Sequence, residues 1–480
     1  MLITAQPRVG FGGVRDALGF VLCVVLSVLS GFLFAHMGFW ALAVPLYLVT
    51  VVAVALYPAA VLTGLLALGI VFEPGMFDFT KPISNLLYSL PPGWDIGITV
   101  SPIEVLLFVA ASSLLLRPRA ERAEPLPYLV WAVPLVILAG LAYGLRGGAP
   151  TNLAYHEMRG LIFGMVIFVA VYRFPAAAAR HVVLITLVSS VVLAFIAIAR
   201  YYEYLVTRRV PSEEAFAHET PALFAIGIVI AAAYILRGVN GWRRVLLVAI
   251  MLLLLAAILA TERRAGTLVL IAGVAGVLVL AFRARPLLVG TVSLLLIGVS
   301  TVYVAAYWNT EYGALAQPAR AIRSQITPSA RDDSSDTYRQ IEKANVMETI
   351  RLNRVFGVGF GRPFIQFQPL PDLTSFWPLQ NHTPHQNILW LWLKVGFFGL
   401  VTLLAVVALA VRRVFQLLRG GLSMQDPAWI AGIVAGSIIL MYLAYSTVDL
   451  ALLSTRSIAP LAVGLAVAFR LPRTDAGRDP

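Results

Sequence analysis

Fourteen apolar runs, most of them close to the length that crosses a bilayer, dominate this chain of 480 residues. A helix needs about 20 apolar residues to span the hydrocarbon layer, with a range near 17–25. Inside lipid every backbone polar group must be satisfied within its own segment, so such runs can become little other than helices. The runs fall at 18–36, 40–57, 58–73, 102–117, 127–144, 160–173, 181–199, 221–237, 244–261, 267–282, 286–306, 391–411, 429–447 and 457–470. Pro58 alone separates the second from the third, which form either a helical hairpin or one broken element. The expected fold is an all-α polytopic membrane protein of 12–14 transmembrane helices. Composition agrees, because 12% of the residues are charged against about 25% in a soluble domain.

Loop charge sets the orientation. Arg117, Arg119 and Arg122 share one loop, and Arg173 and Arg180 share the next on that side. Arg237, Arg243 and Arg244, then Arg283 and Arg285, then Arg412, Arg413 and Arg419 continue the alternation. Basic short loops mark the cytoplasmic side, which places both termini there. Arg8 and Arg15 precede the first run as in a signal sequence, but no small-x-small cleavage site follows, so an uncleaved first span is expected. The only cysteine, Cys23, lies in that run, which excludes intrachain disulfides and Cys-rich zinc sites. The chain then divides into N-terminal helices (1–306), one large extracytoplasmic loop with amphipathic helices (307–390) and C-terminal helices (391–480).

Against that bias, Arg146, Arg159, Arg200, Arg208, Arg209, Arg263, Arg264 and a group from Arg320 to Arg362 face away from the cytoplasm. Guanidinium groups kept there suggest a bound polyanion, with lipid diphosphate the obvious candidate. Three of the 36 cations are Lys and the rest Arg, whose planar fork grips phosphate through two donors. A GC-rich genome also favours Arg, so the ratio alone decides nothing.

Asn381-His382-Thr383-Pro384-His385-Gln386-Asn387 runs straight into an apolar segment. Imidazole is the side chain best matched to taking a proton near neutral pH, so a base here could deprotonate a hydroxyl delivered from outside. The alternative is an interfacial anchor beside a tryptophan belt. Thr261-Glu262-Arg263-Arg264 forms a very short turn in which Glu262 could pair with one arginine and leave the other for an anion. Glu157-Met158-Arg159 offers either an internal ion pair or a phosphate ligand. Asp332-Asp333-Ser334-Ser335-Asp336 has the D-D-x-x-D spacing of some magnesium sites, but acidic residues also suit a helix start. An amphipathic helix is predicted over 334–353, with Ser335 or Asp336 as its cap. Gly357-Val358-Gly359-Phe360-Gly361 should end that helix; it does not fit G-x-G-x-x-G, and no Walker motif, G-x-S-x-G elbow or H-E-x-x-H occurs.

Taken together, Arg339, the Phe356–Gly361 turn and the run from His385 through Gly396 to Leu400 resemble the O-antigen ligase/polymerase superfamily of bacterial envelope glycosyltransferases. Arg264-Ala265 is similar to the family's Ser-Arg-Gly/Ala element, with Arg263 where Ser is common. The resemblance covers the C-terminal half; the N-terminal spans match only in hydropathy and order. It implies an inner-membrane enzyme that moves glycan from undecaprenyl diphosphate to an acceptor hydroxyl at the periplasmic face, without metal or cofactor. The acceptor would be lipid A core or another glycan, the surroundings a lipid bilayer, and nucleic acid would play no part. His385 would be the base or acceptor-orienting group, with Arg264, Arg159, Arg263 and Arg339 on the diphosphate. His382, Asn387, Gly357 and Gly359 would support the loop. The competing reading is a transporter or flippase for lipid-linked saccharide, disfavoured because no acidic residue sits centrally in a span.

Overall fold

The computed structural model describes residues 43–73, 80–89, 100–117, 125–174, 176–207, 216–311, 313–324, 326–327, 330–375, 377–420 and 422–471, with backbone alone at 43–44, 176–180 and 330–335. The expected first span with Arg8, Arg15 and Cys23 lies outside these residues, as do Arg119, Arg122, Arg208 and Arg209 and the side chains of Arg180, Asp332 and Asp333.

Among the described residues sixteen helices follow one another: α1 Ala43–Leu56, α2 Pro58–Val71, α3 Lys81–Tyr88, α4 Pro102–Leu116, α5 Tyr128–Arg146, α6 Thr151–Tyr172, α7 Ala176–Thr207, α8 Thr220–Arg237, α9 Trp242–Ala260, α10 Arg264–Ala281, α11 Pro286–Tyr307, α12 Gln317–Arg323, α13 Ala330–Leu352, α14 Asn387–Arg419, α15 Pro427–Tyr445 and α16 Thr455–Arg470. Among the described residues nine helices are long and apolar enough to cross a membrane, and α1, α2 and α4 are shorter apolar helices. The protein is therefore an all-α polytopic membrane protein. Tyr57 leaves helical geometry (φ −133°, ψ 58°), as the residue before a proline tends to do, so the doubtful 40–73 stretch is two helices packed on each other.

Helices α8 and α15 are buried nearly all round, whereas α11 is almost wholly exposed and so faces lipid. The tightest pairings are α10 with α15 and α6 with α16. Small residues permit them: a Cβ on Gly276 of α10 would stand 3.0 Å from the Ser437 Cα of α15. One on Gly160 of α6 would meet the Leu452 carbonyl at 2.2 Å. Without a hydrophobic drive between helices in lipid, such close backbone contact is a principal source of association.

The long segment between α11 and α14 is anchored in the bundle by its glycine turn. Phe360 is fully buried, and its N–H donates to Gly140 of α5. Gly359 has φ +86°, and a Cβ there would lie 2.3 Å from the Gly144 nitrogen; Gly357, at φ +69°, would put one 2.3 Å from the Leu393 carbonyl. Only glycine fits both positions. The turn is thus a wedge between α5 and α14, and α14 itself breaks at Gly396 to receive it (φ 70°). Beneath the wedge, Lys394 Nζ pairs with Glu157 Oε1 at 2.7 Å and donates to the Arg362 carbonyl at 2.5 Å. The Gly361 N–H donates to the same Glu157.

A second internal charge cluster joins helix ends. Glu73, just past α2, meets Arg200 of α7 at 3.1 Å and Arg456 of α16 at 3.2 Å, and Arg456 also reaches Glu219 at 3.3 Å. Thr220 of α8 donates to Glu73, and Arg200 donates to Thr80 at 2.9 Å. Two cations and two anions cancel, which is how charge is tolerated away from water. Arg200 and Arg320, expected among the guanidiniums waiting for an anion, are structural: Arg320 donates to the Glu311 carbonyl.

Candidate functional site

Helix α13 begins at Ala330, earlier than the predicted 334, so Asp336 is not a cap but sits in the second turn. Asp336, Arg339 and Glu342 recur at three-residue spacing and share one face of the helix. Each engages a different part of the bundle.

Glu342 holds His385. Its Oε2 accepts from the His385 backbone N–H at 2.9 Å and lies 3.0 Å from Nδ1. The Glu342 side chain is 3% exposed and that of His385 16%. Trp377 and Tyr338 set their rings edge-on against the imidazole. With a carboxylate fixing Nδ1–H, Nε2 carries the lone pair and is the atom able to take a proton.

Asp336 holds Arg264 through a two-pronged contact, 2.9 and 3.1 Å, and Arg264 also donates to Ser324 at 3.2 Å. Arg264 is the first residue of α10, and the turn before it is tight: Glu262 has φ 51°, the only left-handed non-glycine among the described residues. The expected pairing of Glu262 with a neighbouring arginine is not the contact the fold makes; Glu262 is hydrogen-bonded to Tyr201. Arg263 instead reaches back to the segment before α8, donating to the Phe216 carbonyl at 2.5 Å and lying 3.1 Å from His218 Nδ1.

Arg339 faces Asp449, in the segment joining α15 to α16. Burial would raise the Asp449 carboxyl, but His218, the Leu450 N–H and the charge of Arg339 together hold it below its usual range. Asn387, first residue of α14, donates to the Asp449 carbonyl and so ties the His385 segment to this loop. Around one end of the bundle the fold gathers His385, Asn387, Arg263, Arg264 and Arg339.

Arg159 lies beside the 446–454 segment, since its neighbour Gly160 packs on Leu452 and Leu453. The internal Glu157–Arg159 ion pair does not form, because the two point apart: Glu157 to Lys394, Arg159 Nε to Glu104 at 2.5 Å. Glu104 is held in turn by Thr455 and by the Ser101 backbone in a capping box. The terminal Nη atoms of Arg159 make no hydrogen bond to the described residues, so that edge of the fork is available to an anion.

His382 does not join His385. Burial, and then the charge of Lys394, push it down to about 4, so it is neutral at physiological pH. The unfolded chain binds a proton near pH 6.5 that the folded loop refuses until about pH 4, so stability should fall as pH drops through that window. Thermal unfolding between pH 7 and 4.5 should show the wild type losing more stability than His382→Gln; equal losses would remove His382 as the cause.

Sequence reasoning passed over Glu342, His218 and Asp449. Glu342 was within reach, being one helical turn from Tyr338 on the predicted amphipathic helix. His218 had the signal that singled out His385, a histidine just ahead of an apolar span.

Between α4, α5, α6, α14, α15 and α16 lies an apolar cavity of about 450 Å³, lined by Pro134, Ile137, Leu161, Leu403 and Leu461 and reaching Ile388 and Ser446 beside the site.

Among curated proteins, no match is found. The O-antigen ligase family model matches residues 249–404, from α9 through Arg263, Arg264, Arg339, Glu342 and His385 to the break in α14 and beyond. Over these residues the chain matches the O-antigen ligase family, and its helices are those of a multi-pass membrane protein.

Proposed function

We propose that the protein transfers or polymerises undecaprenyl-diphosphate-linked glycan onto an acceptor hydroxyl at the periplasmic face of the bacterial inner membrane, without a metal ion. The observation that carries the reading is the His385–Glu342 pair, set on the same helix face that presents Arg339 and engages Arg264. His385 Nε2 takes the acceptor proton as the hydroxyl attacks the sugar C1. Diphosphate is already a good leaving group, and fixed guanidiniums that neutralise its developing charge can do the work of a divalent cation. Arg263, Arg264 and Arg339, with the Nη edge of Arg159, supply those guanidiniums. Asp336 occupies the Arg264 fork as a carboxylate in place of phosphate, so donor binding exchanges one anion for another there. The apolar cavity beside Ile388 takes the first isoprene units, and the loop over His385 excludes water that would otherwise hydrolyse the donor.

The test is purified protein incubated with undecaprenyl-diphosphate glycan and acceptor in the presence of EDTA, with product length read by mass spectrometry. Transfer should proceed at the untreated rate. Complete loss with chelator would overturn the metal-free mechanism, and movement of lipid-linked glycan across liposomes without elongation would establish a carrier instead.

A further inference from the structure

Outside the matched segment, at positions beyond 249–404, stands a second histidine–carboxylate pair. His218 precedes α8, and its Nδ1 lies 3.2 Å from Asp449 Oδ1 and 3.3 Å from Oδ2. The Asp449 side chain is 4% exposed, and its Oδ1 accepts from the Leu450 N–H at 2.7 Å. The His218 carbonyl accepts from the Tyr445 hydroxyl at 2.6 Å, which fixes the backbone. Yet the His218 side chain is 43% exposed, and Nε2 makes no hydrogen bond to the described residues. The ring is therefore gripped at one nitrogen and open at the other.

Its neighbours are two of the arginines assigned to the diphosphate. Arg263 Nη1 is 3.1 Å from Nδ1, and Arg339 acts on Asp449 from α13. The remaining charged or titratable groups that border it are Tyr445 from α15 and Glu219, the next residue in the chain, which is paired with Arg456.

Resting on the donor reading above, we infer that His218 is the proton donor to the leaving diphosphate, with Asp449 holding the imidazolium. The tautomer requires a change of state. In the tautomer whose Nδ1–H serves Asp449, which leaves the Arg263 Nη1 approach without an acceptor, a neutral ring presents a lone pair at Nε2, which repels a phosphate oxygen. Both nitrogens can serve only if the ring takes up a proton as the donor binds. In the transfer step the acceptor oxygen bonds to C1 and the C1–O bond to diphosphate breaks, its electron pair staying on the phosphate oxygen. The Nε2 proton of His218 passes to that oxygen, and the acceptor's proton passes to His385 Nε2. His385 then releases a proton to solvent and His218 regains one, so the cycle closes without a co-reactant.

The experiment is titration calorimetry of the full chain in detergent with farnesyl diphosphate at pH 8, in buffers of different ionisation enthalpy. Imidazoles are ordinarily neutral at that pH. Wild type and His385→Ala should bind with about one proton more taken up than His218→Gln does. The His218→Gln affinity should be roughly tenfold weaker, as for a lost charge-assisted hydrogen bond. Asp449→Asn, which keeps the ring but removes its anchor, should also lose the uptake. Equal uptake in wild type and His218→Gln overturns the assignment of His218 alone. Failure of the wild type to bind farnesyl diphosphate overturns the donor site itself and this inference with it.

Discussion

His385→Ala should lower the rate of glycan transfer by roughly 10²–10⁴-fold, the range that general-base catalysis commonly supplies, while insertion and donor binding persist. His385 is well placed to show this because its geometry is over-determined. One carboxylate oxygen of Glu342 lies within hydrogen-bond reach of both its backbone N–H and its Nδ1, and two aromatic rings fix the plane. Glu342→Gln should lower kcat by less, since the amide can still accept from Nδ1 but stabilises the imidazolium weakly. The donor KM should stay near wild type in both variants, because neither residue contacts the diphosphate in the proposed arrangement. Steady-state kinetics with purified protein decide the matter. Wild-type kcat in His385→Ala would remove the histidine from the reaction, and a rise in KM alone would make it a binding group.

The second large effect is on stability. Glu157 and Lys394 are both fully buried and bonded to each other at 2.7 Å. Removing one partner leaves an uncompensated charge in a poorly hydrated place, at a cost of about 3–5 kcal/mol. Lys394→Met should therefore prevent accumulation of folded protein or lower its unfolding temperature sharply in detergent. Glu157→Gln combined with Lys394→Met should recover part of the loss by removing both charges. Full recovery is not expected, because the Arg362 carbonyl would still lose its donor, although the new amide oxygen can still accept from the Gly361 N–H. Size-exclusion profiles and thermal unfolding of the two variants beside the wild type provide the check. A stable Lys394→Met with wild-type unfolding would show that the pair carries little.

Hydropathy alone revealed most of the architecture, because a lipid environment forces apolar runs into helices and leaves few alternatives. The break at Tyr57–Pro58 was legible for the same local reason, since proline acts through its own backbone, whereas α13 ends at Leu352, ahead of the turn's first positive-φ glycine, Gly357. Partner choice was not legible. Arg159 and Glu157 are two residues apart yet select Glu104 and Lys394, far away in the chain, because successive positions on a helix point in different directions. The D-D-x-x-D spacing misled for a related reason. Asp336 belongs to a helix that had already started, and its carboxylate is taken by Arg264 rather than standing at a terminus. The family resemblance pointed to His385 and the arginines, but not to the carboxylates that hold them, since those depend on tertiary docking of α13.

The neutral cluster of Glu73, Arg200, Glu219 and Arg456 bears on how the chain is made as well as how it is held. Synthesis is vectorial, and Glu73 leaves the ribosome long before either of its cationic partners. Arg200 arrives with α7, but Arg456 comes only with the final helix. Until that helix inserts, two acids share one cation, and the membrane assembly stays open at the end where His385 and the arginines gather. The last span thus acts as a keystone, so that a chain cut short at the ribosome cannot close that end.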